Sequence, residues 1–144
     1  MAIFADQSRE ALRRSYLDAW TKFQRGTPLT ALEAQLAAVI SEHPEYHEWL
    51  QRGDSALHEE FTPERGRENP FLHLGMHLAI REQVATNRPA GIADIHARLA
   101  RNLGDPHRAE HAMIEPLGVA LWSAQRNGQP PDETAYLEAL RRLR

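Results

Sequence analysis

The stretch NPFLHLGMHLAIREQV, residues 69–84, decides the fold class. Asn69 followed by Pro70 is typical of a helix start, because an asparagine side chain can cap the first turn and proline fits the first helical position. The residues that then recur at helical spacing are His73, His77, Ile80 and Val84. The stretch therefore predicts one amphipathic helix, which ends before Asn87-Arg88-Pro89.

The same helix signals recur along the chain, and no run of residues alternates between apolar and polar as a half-buried strand would. Thr30 and Glu33 match a capping box, Asp105-Pro106 repeats the cap-then-proline start, and Pro116 predicts a kink in the helix that follows. The predicted helices cover about residues 8–23, 30–40, 44–50, 70–84, 92–103, 106–124 and 132–144. We therefore expect an all-α fold, a bundle of four main helices with short additional helices.

The first two helices are expected to bury apolar stripes. The inward residues predicted for them are Leu12, Tyr16, Ala19, Trp20, Phe23, Leu32, Leu36, Val39 and Ile40. Residues 53–69 break every helical period, so they are predicted to be an irregular connector, and one that could act as a gate. Because the sequence has no internal repeat, no low-complexity tract and no sign of a domain boundary, residues 1–144 are predicted to form a single helical domain.

Composition excludes several classes of function. The chain has 144 residues, 42% of them hydrophobic and 26% charged, which is typical of a soluble globular domain. Its net charge of -3 argues against nucleic-acid binding through a basic surface. The absence of cysteine excludes thiolate metal sites and cysteine nucleophiles. With no apolar run of membrane-spanning length and no secretory signal pattern, we expect a cytoplasmic protein that does not bind membranes.

Histidine spacing is the most informative feature of the sequence. Six of the eight histidines form i,i+4 pairs, which are His43/His47, His73/His77 and His107/His111. On a helix, residues four apart lie on one face about 6 Å apart, so two imidazoles there can chelate one ion. Each pair lies near a predicted helix start, where the helix dipole favours the neutral ring that binds metal. Because Pro44 intervenes, the His43/His47 spacing is the least securely helical.

Topology predicts that the pairs meet. The helices that begin at Pro70 and Pro106 are separated by one helix, so short turns make them parallel and place their first turns at the same end of the bundle. The connector is long enough to bring His43 and His47 to that end as well. Glu110 lies on the same face as His107, as a carboxylate ligand or as a residue that orients a histidine. Such ligands suit zinc, iron or manganese.

Other interpretations remain open. The histidines could form a buried, hydrogen-bonded cluster with a purely structural role, in a protein that binds another protein. Residues 107–111, HRAEH, also match H-x-x-E-H, a pattern of two zinc ligands with a general base between them, although few residues follow it to complete a peptidase. The sequence has no phosphate-binding glycine loop and no G-x-S-x-G nucleophile elbow.

Several blocks resemble the domain of unknown function 1841 family of small bacterial proteins. They are DAWTKFQRGTPLTALE at 18–33, HPEYH at 43–47, NPFLHLGMHLAIREQ at 69–83, RPAGI at 88–92 and HRAEHAMIE at 107–115. The resemblance implies an all-helical domain and a bacterial source. It implies no particular activity and supplies no catalytic residues.

The sequence therefore predicts a metal-binding helical protein. The expected ligands are His43, His47, His73, His77, His107, His111 and Glu110, for one divalent transition metal ion or two. Any chemistry would be Lewis-acid or redox work on a small molecule. The partner is a small molecule or a protein, and a homodimer is left open.

Overall fold

A computed structural model describes residues 2–59 and 69–144 of the chain. The elements in order are α1 (Ala2–Gln24), α2 (Ala31–Ser41), a 3-10 turn (Pro44–Tyr46), α3 (His47–Leu50), α4 (Asp54–His58), α5 (Pro70–Thr86), α6 (Ile92–Leu103), α7 (Pro106–Asn127) and α8 (Glu133–Arg141). All regular structure in the described ranges is helical, which confirms the all-α prediction. None of the described helices is long and apolar enough to cross a lipid bilayer.

The chain divides into two compact units, residues 1–74 and 75–144, with the division inside α5. In the first unit α1 packs along α2 and also contacts α4. Its buried side chains include Trp20, Leu36, Ile40 and Phe71. That all 144 residues form a single domain remains a prediction.

The second unit contains the rest of α5 with α6, α7 and α8. Its buried apolar core consists of Ile80, Ile92, Ile95, Leu99, Ala109, Met113, Leu117, Tyr136 and Leu140. At the end of α6, Gly104 adopts the left-handed conformation that glycine tolerates best and turns the chain toward α7. The turn is short, and α6 and α7 pack along each other.

The structure corrects several expectations. Helix α1 begins at Ala2 rather than near Ser8, because residues 2–7 contain no glycine or proline to stop it. Leu12, Phe23 and Leu32 are exposed rather than inward, at 59%, 48% and 61%. The predicted irregular connector contains α4. Its residues 60–68, and with them the predicted gate, lie outside the described residues.

The capping box at the start of α2 has its predicted geometry. The Thr30 hydroxyl accepts a hydrogen bond from the Glu33 backbone N–H at 3.2 Å, and the Glu33 carboxylate accepts one from the Thr30 N–H at 2.9 Å. We expect Thr30→Ala to lower the free energy of unfolding by about 1 kcal/mol. Urea unfolding measures this, with Thr27→Ala, in the exposed turn before the helix, as the control. A loss from Thr27→Ala as large as that from Thr30→Ala would contradict the assignment.

Tyr136 links α8 to α5, since its hydroxyl donates to Gln83 Oε1 at 2.7 Å. Burial raises the pKa of the Tyr136 phenol to about 12. An unfolded tyrosine loses its proton near pH 10. As pH rises from about 10 to 12, Tyr136 loses its proton in the unfolded chain but keeps it in the folded protein, which favours unfolding. The free energy of unfolding should therefore fall by about 2–3 kcal/mol over that interval.

Unfolding in urea at pH 9 and pH 11.5 checks this prediction. Tyr136→Phe is the matched variant, because phenylalanine fills the same space and does not ionise. The loss of stability at the higher pH should be smaller in Tyr136→Phe than in the original protein. Equal losses in the two proteins would show that Tyr136 is not the group responsible.

Candidate metal centre

His77 lies at the centre of the candidate site. Its side chain is fully buried on the second turn of α5. Nδ1 lies 2.5 Å from Glu110 Oε1, a distance at which the ring nitrogen donates to the carboxylate. In a neutral imidazole whose Nδ1 carries the proton, the lone pair is on Nε2, which is the nitrogen then able to bind a metal ion.

Glu110 is held from two sides. Arg81 Nε donates to both carboxylate oxygens, at 3.0 Å each. Burial raises the pKa of Glu110, but hydrogen bonds from His77 and Arg81 and the charge of Arg81 outweigh it, so the pKa lies below its usual value. Glu110 is therefore an ionised, fixed acceptor for the His77 ring, which favours the orienting role over the ligand role.

His107 and His111 extend the cluster from α7. The His107 ring stacks on His77 with centroids 4.9 Å apart and planes 9° from parallel, and the His111 centroid lies 5.7 Å from that of His77. A ring nitrogen of His77 lies within 4.8 Å of one in His107 and of one in His111. His77 is buried, His107 is half-buried and His111 is exposed, so the cluster runs from the core to solvent.

The start of α7 positions His107. The Asp105 side chain accepts from the His107 backbone N–H at 3.3 Å, and Pro106 occupies the first helical position. This is the cap-then-proline start that the sequence predicts. The predicted meeting of His77 with His107 and His111 is also found, since α5 and α7 both contribute their early turns to the cluster.

His43 and His73 contact each other within residues 1–74. His43 is buried, and its Nδ1 lies 2.7 Å from the Val39 carbonyl oxygen. Its ring stacks on Tyr46 at 5.6 Å and meets the edge of His73 at 5.2 Å. His73 is half-buried and lies one helical turn before His77 on α5.

His47 does not share a helical face with His43. Pro44 starts a 3-10 turn between them, so the regular i,i+4 spacing is lost. His47 Nε2 lies 2.8 Å from the Ile40 carbonyl oxygen, and the ring packs on Trp20 at a centroid distance of 4.4 Å. These contacts satisfy His47 locally, so we leave it out of the candidate ligand set.

Two further points differ from the sequence prediction. The His107/His111 face does not point wholly inward, because His111 is exposed and Leu121, on the same predicted stripe, is 44% exposed. Arg81, which fixes Glu110, is absent from the predicted site. A signal for it was available, since Arg81 lies four residues after His77 and therefore on the same face of α5.

Comparison with known proteins gives one family. Residues 8–142 match the model of the domain of unknown function 1841. No curated protein and no solved structure matches the chain. Because the match covers nearly the whole chain, the protein belongs to the DUF1841 family.

Proposed function

We propose that this protein binds a transition metal ion through His77, His107 and His111. The observation that carries the proposal is the hydrogen bond from buried His77 Nδ1 to the ionised Glu110, which places the lone pair of the neutral ring on Nε2. A carboxylate that orients a metal-binding histidine in this way is a recurrent feature of metal sites. Arg81 completes the arrangement by fixing the carboxylate.

Of the three predicted metals, zinc and iron suit this set of imidazole ligands best, since manganese prefers oxygen ligands. Nitrogens on one tetrahedral zinc ion stand about 3.4 Å apart, given Zn–N distances of about 2.0–2.1 Å. A ring nitrogen of His77 lies within 4.8 Å of one in His107 and of one in His111, which is close enough for small ring rotations to bring them onto one ion. His107 has to leave its parallel stack on His77, because an ion lies in the plane of each ring that binds it. His107 is half-buried and His111 is exposed, which permits that motion.

Three protein ligands leave a coordination position for a small molecule, where the ion would act as a Lewis acid or a redox centre. His73 lies one helical turn before His77 on α5 and remains a predicted ligand. His43 contacts His73 and belongs to the wider predicted set.

Titration with cobalt(II) tests the ligand set, because cobalt takes the place of zinc and its visible absorption reports the ligands. We expect saturating absorption bands in the original protein and their loss in His111→Ala, which removes an exposed ligand at little cost to the fold. His58→Ala is the control, since that side chain is 67% exposed. Bands that persist in His111→Ala would exclude His111 from the site.

A structural histidine cluster is the second candidate, and the parallel stack of His77 on His107 favours it. In this alternative the protein binds another protein and has no catalytic role. The hydrogen bonds from Arg81 and His77 to Glu110 then serve only to hold α5 against α7. A chelator then leaves the melting temperature unchanged. Under the metal proposal the chelator lowers it, since metal binding stabilises only the folded state.

A further inference from the structure

A groove of about 620 Å³ lies between the second half of α7 and α8, within residues 75–144. Its floor is formed by small and apolar side chains that include Ala120, Ala124, Ala139 and the ring of Tyr136. Small-molecule sites in proteins are commonly mostly apolar and of about 300–1,000 Å³. The groove therefore has the size and lining of a small-molecule site.

The groove belongs to a face of α7 that continues from the histidines. Glu115 follows His111 by four residues, and Val119, Ser123 and Asn127 continue the same i,i+4 row along the groove. The hydroxyl of Tyr136, beside the floor, donates to Gln83, so it is already engaged. The charged side chains that could recognise a ligand therefore lie at the edge of the groove, which we call the rim.

The charged side chains at the rim are all negative. The carboxylates of Glu115 and Asp132 line the groove, and none of the lining residues that the structure describes is Lys or Arg. Asp132 also caps α8 by accepting from the Ala135 N–H at 3.1 Å. An organic anion would meet these carboxylates with no cation to balance its charge, whereas a protonated amine would be attracted.

We propose that this groove binds an apolar small molecule that carries a protonated amine. The apolar body lies on the alanine floor, where it buries hydrocarbon surface, and the ammonium group is attracted to Glu115 at the end of the groove nearest His111. This binding does not require a metal ion at the histidines. It can therefore be tested separately from the proposed metal site.

Two fluorescent probes with the same apolar group and opposite charge test the proposal. Dansylcadaverine carries a protonated amine, and dansylglycine carries a carboxylate. We expect dansylcadaverine to bind with a blue shift and enhanced emission, and dansylglycine to bind at least about tenfold more weakly. Equal binding of the two probes, or binding of neither, would overturn the proposal.

Substitutions locate the probe. Ala124→Phe fills the floor and should abolish binding, and Ser123→Trp is a second obstruction on the same face in case the first variant fails to fold. Glu115→Gln should weaken the preference for the amine, because only Asp132 then remains, whereas Glu82→Gln, exposed on α5, should leave it unchanged. Binding that survives both obstructions, or a preference that Glu115→Gln leaves unchanged, would place the probe elsewhere and refute the site.

Discussion

Replacing Glu110 by alanine is expected to lower the free energy of unfolding by about 3 kcal/mol and the melting temperature by about 10 °C. The reason is that the variant leaves two buried or half-buried donors without their acceptor. The His77 N–H loses its acceptor in a fully buried position, and Arg81, whose side chain is 29% exposed, loses both of its bonds to the carboxylate. Breaking one side of a buried ion pair costs more than the pair itself contributes. Thermal and urea unfolding measure the effect.

Glu115→Ala provides the matched control, because Glu115 lies on the same helix and is exposed. It should change stability by less than about 0.5 kcal/mol. A double-mutant cycle with Arg81→Ala then isolates the interaction of Arg81 with Glu110, for which we expect a coupling of about 1–2 kcal/mol. Additive effects of the two substitutions would mean that the buried pair does not stabilise the protein.

Replacing His77 by alanine is expected to weaken metal binding by more than about 100-fold, which exceeds the loss caused by removing an orienting partner of a ligand. The same variant should lose about 2–3 kcal/mol of stability, because a fully buried ring leaves a cavity and Glu110 loses a donor. Metal titration and urea unfolding, each done with and without metal, separate the two effects. In the metal-free protein only the loss of packing and of the hydrogen bond to Glu110 should remain.

His96→Ala is a suitable control for this prediction. His96 is half-buried on α6, and its Nε2 lies 3.3 Å from the Pro106 carbonyl oxygen, so its loss tests the effect of removing a histidine near the start of α7. Metal affinity should be unchanged in this variant. If His77→Ala and His96→Ala bound metal as tightly as the original protein, His77 would not be a ligand.

The ends of the helices could be predicted from sequence because their signals are local. Thr30 with Glu33, Asn69 with Pro70, and Asp105 with Pro106 all cap helices in the structure. A capping bond joins residues two or three positions apart, so it needs no knowledge of the tertiary fold. The same local information fails for α4, whose five residues are too few to form a helix without support from α1.

The meeting of α5 with α7 could also be predicted, because one short helix lies between them. What sequence could not supply was the rotation of each helix about its axis. Residues four apart advance by about 40° around a helix, so the row from His107 through His111 to Glu115 winds from the half-buried side into solvent. For the same reason Leu12, Phe23 and Leu32 share helical spacing with core residues and are nevertheless exposed.

The roles within the site depend on partners distant in sequence. Glu110 and Arg81 are 29 residues apart, and only packing shows that the carboxylate orients His77 rather than facing solvent. His47 is a predicted ligand that packing assigns to another contact. A 3-10 turn begins at Pro44 in place of the expected helical turn, and the His47 ring contacts the Ile40 carbonyl oxygen.

Metal analysis of protein purified without a polyhistidine tag tests the central claim most directly. Elemental analysis of the original protein should find zinc, iron or manganese at close to one ion per chain, and His77→Ala prepared in parallel should contain almost none. A metal content near zero in the original protein, with no ion taken up on dialysis against each metal, would contradict the account.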